Sequence, residues 1–141
     1  FKGQIKNVKF YDDYAVQPYT ILSSSNALKE KFPNKKVILV LEPHTFSRIK
    51  TFFNDFVESL KQSKVDGVLI TEVYAAREKG NIKSLAQKLA KAAGKKAKFT
   101  GSIEKTAQYL KDNLKRIDVI CSMGAGDSYK LYDLLENKPG L

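Results

Sequence analysis

Short apolar runs alternate with stretches of helical periodicity along the 141-residue chain, and this alternation constrains the fold more than any other feature. Val8-Lys9-Phe10-Tyr11 reads as a brief strand. Pro18, whose missing N–H is no loss in a first helical turn, opens a helix expected to run to about Phe32. Lys36 to Leu41 reads as a buried strand. Phe46, Ile49, Phe53, Phe56, Val57 and Leu60 fall at helical spacing and predict one amphipathic helix. Val68, Leu69, Ile70 and Val73 form the next strand. Ile82 to Ala93 reads as a helix, stopped at Gly94. A strand at Ala97 to Thr100, a helix from Ile103 to Leu114, a strand from Ile117 to Cys121 and a helix from Tyr129 to Leu135 complete the series. The expected order is five strand–helix units. Buried strands alternating with helices imply an α/β, Rossmann-like three-layer sandwich, with a mainly parallel sheet and helices on both faces. Without a linker or a repeat, residues 1–141 read as one domain.

Composition narrows the function classes. The single cysteine, Cys121, excludes an internal disulfide, and with the only histidine, His44, it makes no zinc cage. These counts fit a reducing, cytoplasmic setting. The longest apolar run, Val37-Ile38-Leu39-Val40-Leu41, falls far short of a membrane span. Lys and Arg number 25 against 15 Asp and Glu, a formal charge of +10. That excess fits either a solvated basic surface or an anionic ligand. Residue 1 is Phe rather than Met, so the expectation is one domain of a longer protein.

In open α/β sheets ligands bind beyond the carboxyl ends of the strands, and the unusual polar residues of this sequence gather there. They are Asp12-Asp13-Tyr14-Ala15-Val16-Gln17-Pro18, Glu42-Pro43-His44-Thr45-Phe46-Ser47-Arg48, Thr71 to Glu78 with Tyr74 and Arg77, and Met123-Gly124-Ala125-Gly126-Asp127. Each has a plain structural alternative. Asp12 and Asp13 suit a capping turn. His44 and Arg48 place two donors at a helix start, a setting that favours anions but also occurs without function. Tyr74 and Arg77 fit a packed aromatic and a solvated charge. Gly124 and Gly126 give a G-x-G that falls short of the dinucleotide fingerprint. Cys121 reads as a small core residue, and Phe46, Phe52, Phe53 and Phe56 as core. The phosphate-cradling motif G-x-x-x-x-G-K-[ST] is absent, so a triphosphate would have to be held elsewhere.

Together and in this order, these four motifs resemble the C-terminal domain of the bacterial Mur ligases, of the type that joins L-alanine to UDP-N-acetylmuramate. The resemblance covers essentially the whole chain. It implies a three-domain enzyme of which this is the third. The first domain would bind UDP-N-acetylmuramate, and the central one would carry the P-loop and hold most of ATP and Mg2+. In the implied reaction, phosphate moves from ATP to the muramoyl carboxylate, and the amine of L-alanine then displaces it from the acyl phosphate. By the same resemblance, Asp12 accepts from the ATP ribose, and Tyr14, His44 and Arg48 stand on the amino-acid side as the catalytic set. Asp13, Tyr74, Arg77, Gly124 and Gly126 are further substrate-binding candidates. The sequence departs from the family at Val16-Gln17, where two histidines are usual, and at Thr45, where arginine is common. A ligase-like paralogue with impaired alanine addition is therefore one alternative. The other is a basic α/β module that binds nucleic acid or another polyanion through Lys88, Lys91, Lys95, Lys96 and Lys98, against which stands the lack of any nucleic-acid-binding signature.

Overall fold

A computed structural model describes residues 1–137. Six strands form one sheet: β1 (Gly3–Ile5), β2 (Val8–Asp13), β3 (Val37–Leu41), β4 (Gly67–Thr71), β5 (Ala97–Gly101) and β6 (Val119–Met123), in spatial order β1-β2-β6-β3-β4-β5. The helices are α1 (Pro18–Lys31), α2 (Phe46–Thr51), α3 (Phe53–Gln62), α4 (Ser84–Ala93), α5 (Ile103–Asn113) and α6 (Leu131–Leu135). Every pairing is parallel except β1 with β2. The expected sandwich is therefore present, with one strand more than the sequence suggested. The extra strand, β1, joins β2 through a two-residue turn, since Ile5 pairs Val8, and Lys6 adopts a left-handed φ of 53°.

Alternation along the strands divides the core in two, as a pleated sheet requires. Val37, Leu39 and Leu41 of β3, with Val119, Cys121 and Met123 of β6, face α1, α3 and α4. Ile38, Val40 and Ile120 face the opposite way, against Ala107 and Leu110 of α5 and Leu131 of α6. Both faces are buried, which is why β3 is apolar throughout and β6 is apolar except at Ser122.

Several local readings change, among them the start of α4 at Ser84 rather than Ile82 and of β6 at Val119 rather than Ile117. The aromatic helix is broken at Phe52, whose φ and ψ of −111° and 26° end α2 and start α3. The change of axis leaves Phe52 42% exposed, so it is not core, whereas Phe46 and Phe56 are buried and Phe53 half-buried. β4 ends at Thr71, two residues before Val73. The last helix begins as a 3₁₀ turn, Ser128–Lys130, before α6. Gly94 ends α4 at a φ of 93°, as its position predicted.

The topology creates one crevice. After β2 and β3 the chain turns to the face of α1 and α3, but after β6, which lies between them, it turns to the face of α5 and α6. Loops that part to opposite faces leave an opening at the carboxyl ends of the strands.

Candidate functional site

β6 is the axis of this rim. Its residues Ser122 and Met123 pair with Asp12 and Asp13 of β2 on one side and with Val40 and Leu41 of β3 on the other. Ser122 Oγ donates to Asp12 Oδ1 at 2.7 Å, which fixes the carboxylate and leaves its second oxygen without a hydrogen-bond partner among the described residues. Asp13 is used differently. Its Oδ1 accepts the N–H of Ala15 at 2.9 Å and its carbonyl accepts the N–H of Gly124 at 3.1 Å. Asp13 thus folds its own turn but does not cap the helix, since the N-cap of α1 is Gln17 and has no side-chain cap hydrogen bond. Tyr14 stands 75% exposed at the tip of this loop.

On the other side of β6, the loops after β3 and β4 are zipped together. Thr45 N–H donates to the Tyr74 carbonyl at 2.9 Å, and Tyr74 N–H to the Pro43 carbonyl at 2.8 Å. This pairing stacks the His44 and Tyr74 rings, with centroids 5.4 Å apart and planes 14° from parallel. Tyr74 is thus a partner of His44 rather than a filler of the core. Thr45 takes a φ of 63° and Ala76 one of 55°. A β-branched residue in that region is strained, and such strain collects where function over-determines the backbone. Thr45 nevertheless caps α2, its Oγ1 accepting from Arg48 N–H at 3.4 Å.

Burial lowers the His44 imidazole below its ordinary value of 6.5, and Arg48 adds to this, while Glu78 opposes it. The ring is accordingly neutral near pH 7, with its Nδ1 buried and unpartnered among the described residues. Arg48, half-buried in the first turn of α2, makes no ion pair or side-chain hydrogen bond among the described residues. Glu78 instead accepts the N–H of Ser47 at 3.2 Å. Arg77 is exposed.

The residue that the motif reading passed over is Glu42. It follows five buried apolar residues and is itself only 3% exposed. Its two carboxylate oxygens each accept one backbone N–H, from Gly126 and from Asp127, both at 3.0 Å. Burial raises its carboxyl above the usual value of 4.5, and the backbone donors pull the other way. The glycines of the G-x-G follow from this clamp. A Cβ on Gly124 would lie 2.9 Å from Glu42, and one on Gly126 would overlap the Tyr74 ring. The signal was legible: an ionisable residue directly after a fully apolar strand must be paired if it is buried.

Two of the cavities at the rim touch the candidate residues. One, of about 320 Å³, lies between β2 and α1 and includes Asp12, Asp13, Lys31 and Cys121. The other, of about 200 Å³, lies beside Tyr74 and carries Glu42, Glu72, Glu104 and Asp127 against one cation, Lys130. Asp12 and Tyr74 therefore open onto different hollows, and Tyr14, His44 and Arg48 line neither. Among the described residues no group of three or more His, Cys, Asp or Glu is placed to hold a metal ion. No helix among them is long and apolar enough to cross a membrane.

Comparison with known proteins bears on this geometry. The family described as Mur ligase, glutamate ligase domain, matches residues 1–126. A UDP-N-acetylmuramate--L-alanine ligase of Caldicellulosiruptor saccharolyticus is 40% identical over 140 residues, 96% of this chain. The chain spans about 30% of the length of that relative and of the others like it. The crystal structure of UDP-N-acetylmuramate-alanine ligase from Thermotoga maritima superimposes with a TM-score of 0.70 at 26% identity, over 97% of this chain and 28% of that one. A single domain from a UDP-N-acetylmuramate:L-alanyl-gamma-D-glutamyl-diaminopimelate ligase of Haemophilus ducreyi shares the fold, with a TM-score of 0.69 at 22% identity over 96% of this chain and 95% of that one.

Proposed function

The chain belongs to the Mur ligase family, and we propose that it is the C-terminal domain of an ATP-dependent ligase that adds L-alanine to UDP-N-acetylmuramate in bacterial peptidoglycan synthesis. The observation that carries this reading is that the four motif loops follow the neighbouring strands β2, β6, β3 and β4 at their carboxyl ends and are hydrogen-bonded each to the next. Identity of 36–40% to relatives named as alanine ligases, over nearly the whole chain, supports the choice of amino acid. The upstream domains of the same chain would supply UDP-N-acetylmuramate binding and the P-loop that this sequence lacks. The donor set here does not suit Mg2+, whose ligands would come from those domains. The enzyme would work in the bacterial cytoplasm.

ATP bound across the domain boundary supplies the activating phosphate, and the residues of this chain position the reactants around it. Asp12, held by Ser122, keeps one carboxylate oxygen to accept from a ribose hydroxyl beside the β2 cavity. Arg48 offers a guanidinium with no committed partner among the described residues, suited to the carboxylate of the amino acid or to the developing oxyanion. Neutral His44, steadied by the Tyr74 ring, has a ring nitrogen able to accept from the incoming amine. Tyr14, exposed at the tip of its loop, is placed to meet the domain that closes against the crevice. Val16 in place of a usual histidine leaves His44 as the sole imidazole, which concentrates proton handling on that residue.

The test is product analysis with the ligase that carries this chain. L-Alanine should give one UDP-N-acetylmuramoyl-L-alanine for each ADP released. Turnover with the L-alanyl-γ-D-glutamyl-diaminopimelate tripeptide and not with L-alanine would replace this reading by the peptide-adding one. ATP hydrolysis without either product would favour the paralogue.

A further inference from the structure

The opposite edge of the sheet, where the strands begin, carries a second charged feature that the ligase reading does not use. Lys36 stands just before β3, Lys95 and Lys96 before β5, Lys98 within β5, and Arg116 at the end of the 3₁₀ turn leading to β6. These three segments are far apart in sequence, but a parallel sheet starts its strands at one edge and so brings them together. They line a single cavity of about 310 Å³, together with Tyr109 of α5.

The cavity holds five cations and one carboxylate, Asp66. That carboxylate is already committed, its Oδ2 accepting from Lys29 Nζ and from Val37 N–H, both at 2.8 Å. Asp118 at the same edge is occupied by the N–H of Lys36 at 2.7 Å. Lys36, Lys95 and Arg116 have no ion-pair partner among the described residues. Lys96 donates to the carbonyl of Ser63, and burial holds its ammonium below the usual lysine range. Lys36, Lys95, Lys98 and Arg116 are exposed and Lys96 is half-buried; like charges gathered in one concave place repel one another, and a bound anion relieves that repulsion. A merely solvated lysine face is drawn from one helix surface, whereas these cations come from three separate segments.

We propose that this cavity is a binding site for a small ligand carrying clustered phosphates, of the diphosphate class. Its volume lies at the lower end of the roughly 300–1,000 Å³ usual for small-molecule sites. Nucleic acid fits less well, because strand binding uses open aromatic faces, and the one aromatic ring here, Tyr109, has Lys98 Nζ seated 4.6 Å from its centroid. The site lies at the far end of the strands from Asp12 and His44 and stands whether or not the ligase reading does.

The test uses the 141-residue chain. Its two cores close within the chain, and a domain of this fold has been solved on its own. Titration of the ¹⁵N-labelled chain with sodium pyrophosphate should give saturable amide shifts at residues 36, 95–98 and 113–116. Lys95→Ala with Arg116→Ala, both exposed positions, should weaken binding about a hundredfold, roughly tenfold for each charge-assisted hydrogen bond removed, at an unchanged unfolding midpoint. Lys88→Ala with Lys91→Ala, on α4 outside the cavity, should leave binding intact. Shifts confined to Asp12, His44 and Gly126, equal weakening by both pairs of substitutions, or no saturation would each overturn the proposal. So would displacement of pyrophosphate by oligothymidylate that binds more tightly, which would assign the edge to nucleic acid.

Discussion

Glu42 and Gly126, 84 residues apart in sequence, are joined by a hydrogen bond of 3.0 Å from the backbone N–H of the glycine to the buried carboxylate. The bond ties the end of β3 to the loop after β6, and so fixes one wall of the crevice on which the functional reading depends. Its companion from Asp127 uses the second oxygen of the same carboxylate.

Glu42→Gln keeps the shape but not the chemistry. An amide presents one acceptor and one donor, so one of the two backbone N–H groups would face an NH₂. The expected loss is about 1–3 kcal/mol, read as a lower urea midpoint. The pH dependence has a definite sign. Because burial raises the folded carboxyl above 4.5, its contribution is fullest below that value and declines as pH rises through the raised folded value. The stability gap between the wild type and Glu42→Gln should therefore narrow on going from acid towards neutral pH.

Gly126→Ala puts a methyl into the space of the Tyr74 ring. Overpacking of this kind costs about 1–3 kcal/mol. Tyr74 must move, and its stack on His44 should be lost. The ring-current shift of the His44 protons, measured by NMR, reports this directly.

His44 should titrate below 6.5, with its contribution to stability full above that value and lost as pH falls through the lowered folded value. Arg48→Ala removes a cation that disfavours the imidazolium and should raise the midpoint. Glu78→Gln removes an anion that favours it and should lower the midpoint. NMR titration of the single histidine gives all three values, and shifts in the opposite order would remove the Arg48–His44–Glu78 grouping.

Cys121, 5% exposed at the centre of the sheet, has its thiol pushed up to about 12 by burial, with Asp13 and Asp12 adding to the effect. It should resist disulfide reagents at neutral pH and react only as urea unfolds the chain. Rapid labelling of the folded protein would mean that the β2 side of the rim opens.

The parallel core was legible in the sequence because β3, β4 and β6 are buried on both faces and carry short apolar runs at residues 37–41, 68–70 and 119–121. β1 was not, since three residues around Gln4 carry no alternation strong enough to stand out and their pairing depends on a turn at Lys6-Asn7 without the usual glycine. The break at Phe52 escaped for a similar reason: periodicity runs through it, and only backbone geometry shows the change of axis. At the site, the motifs named the loops but not the way they divide labour. Asp12 and Asp13 look equivalent in sequence, yet one bonds a side chain across the sheet and the other folds its own turn. Tyr74 reads as packing in sequence, and only the pairing of two loops stacks it on His44. Glu42 sits in its motif beside a more conspicuous histidine, and its role depends on a loop far away in sequence.

That the crevice of this chain completes an alanine-adding ligase can be tested in a hybrid in which the chain replaces the matching segment of the Caldicellulosiruptor saccharolyticus relative, 40% identical to it. The quantity to measure is the rate of L-alanine-dependent formation of UDP-N-acetylmuramoyl-L-alanine, with and without Arg48→Ala. The unaltered hybrid should form product. The substitution should lower turnover by about 10²–10³-fold, the usual effect of removing one group that stabilises the developing charge. A folded hybrid that forms product equally well with Arg48→Ala, or that releases ADP without regard to L-alanine, would refute the assignment.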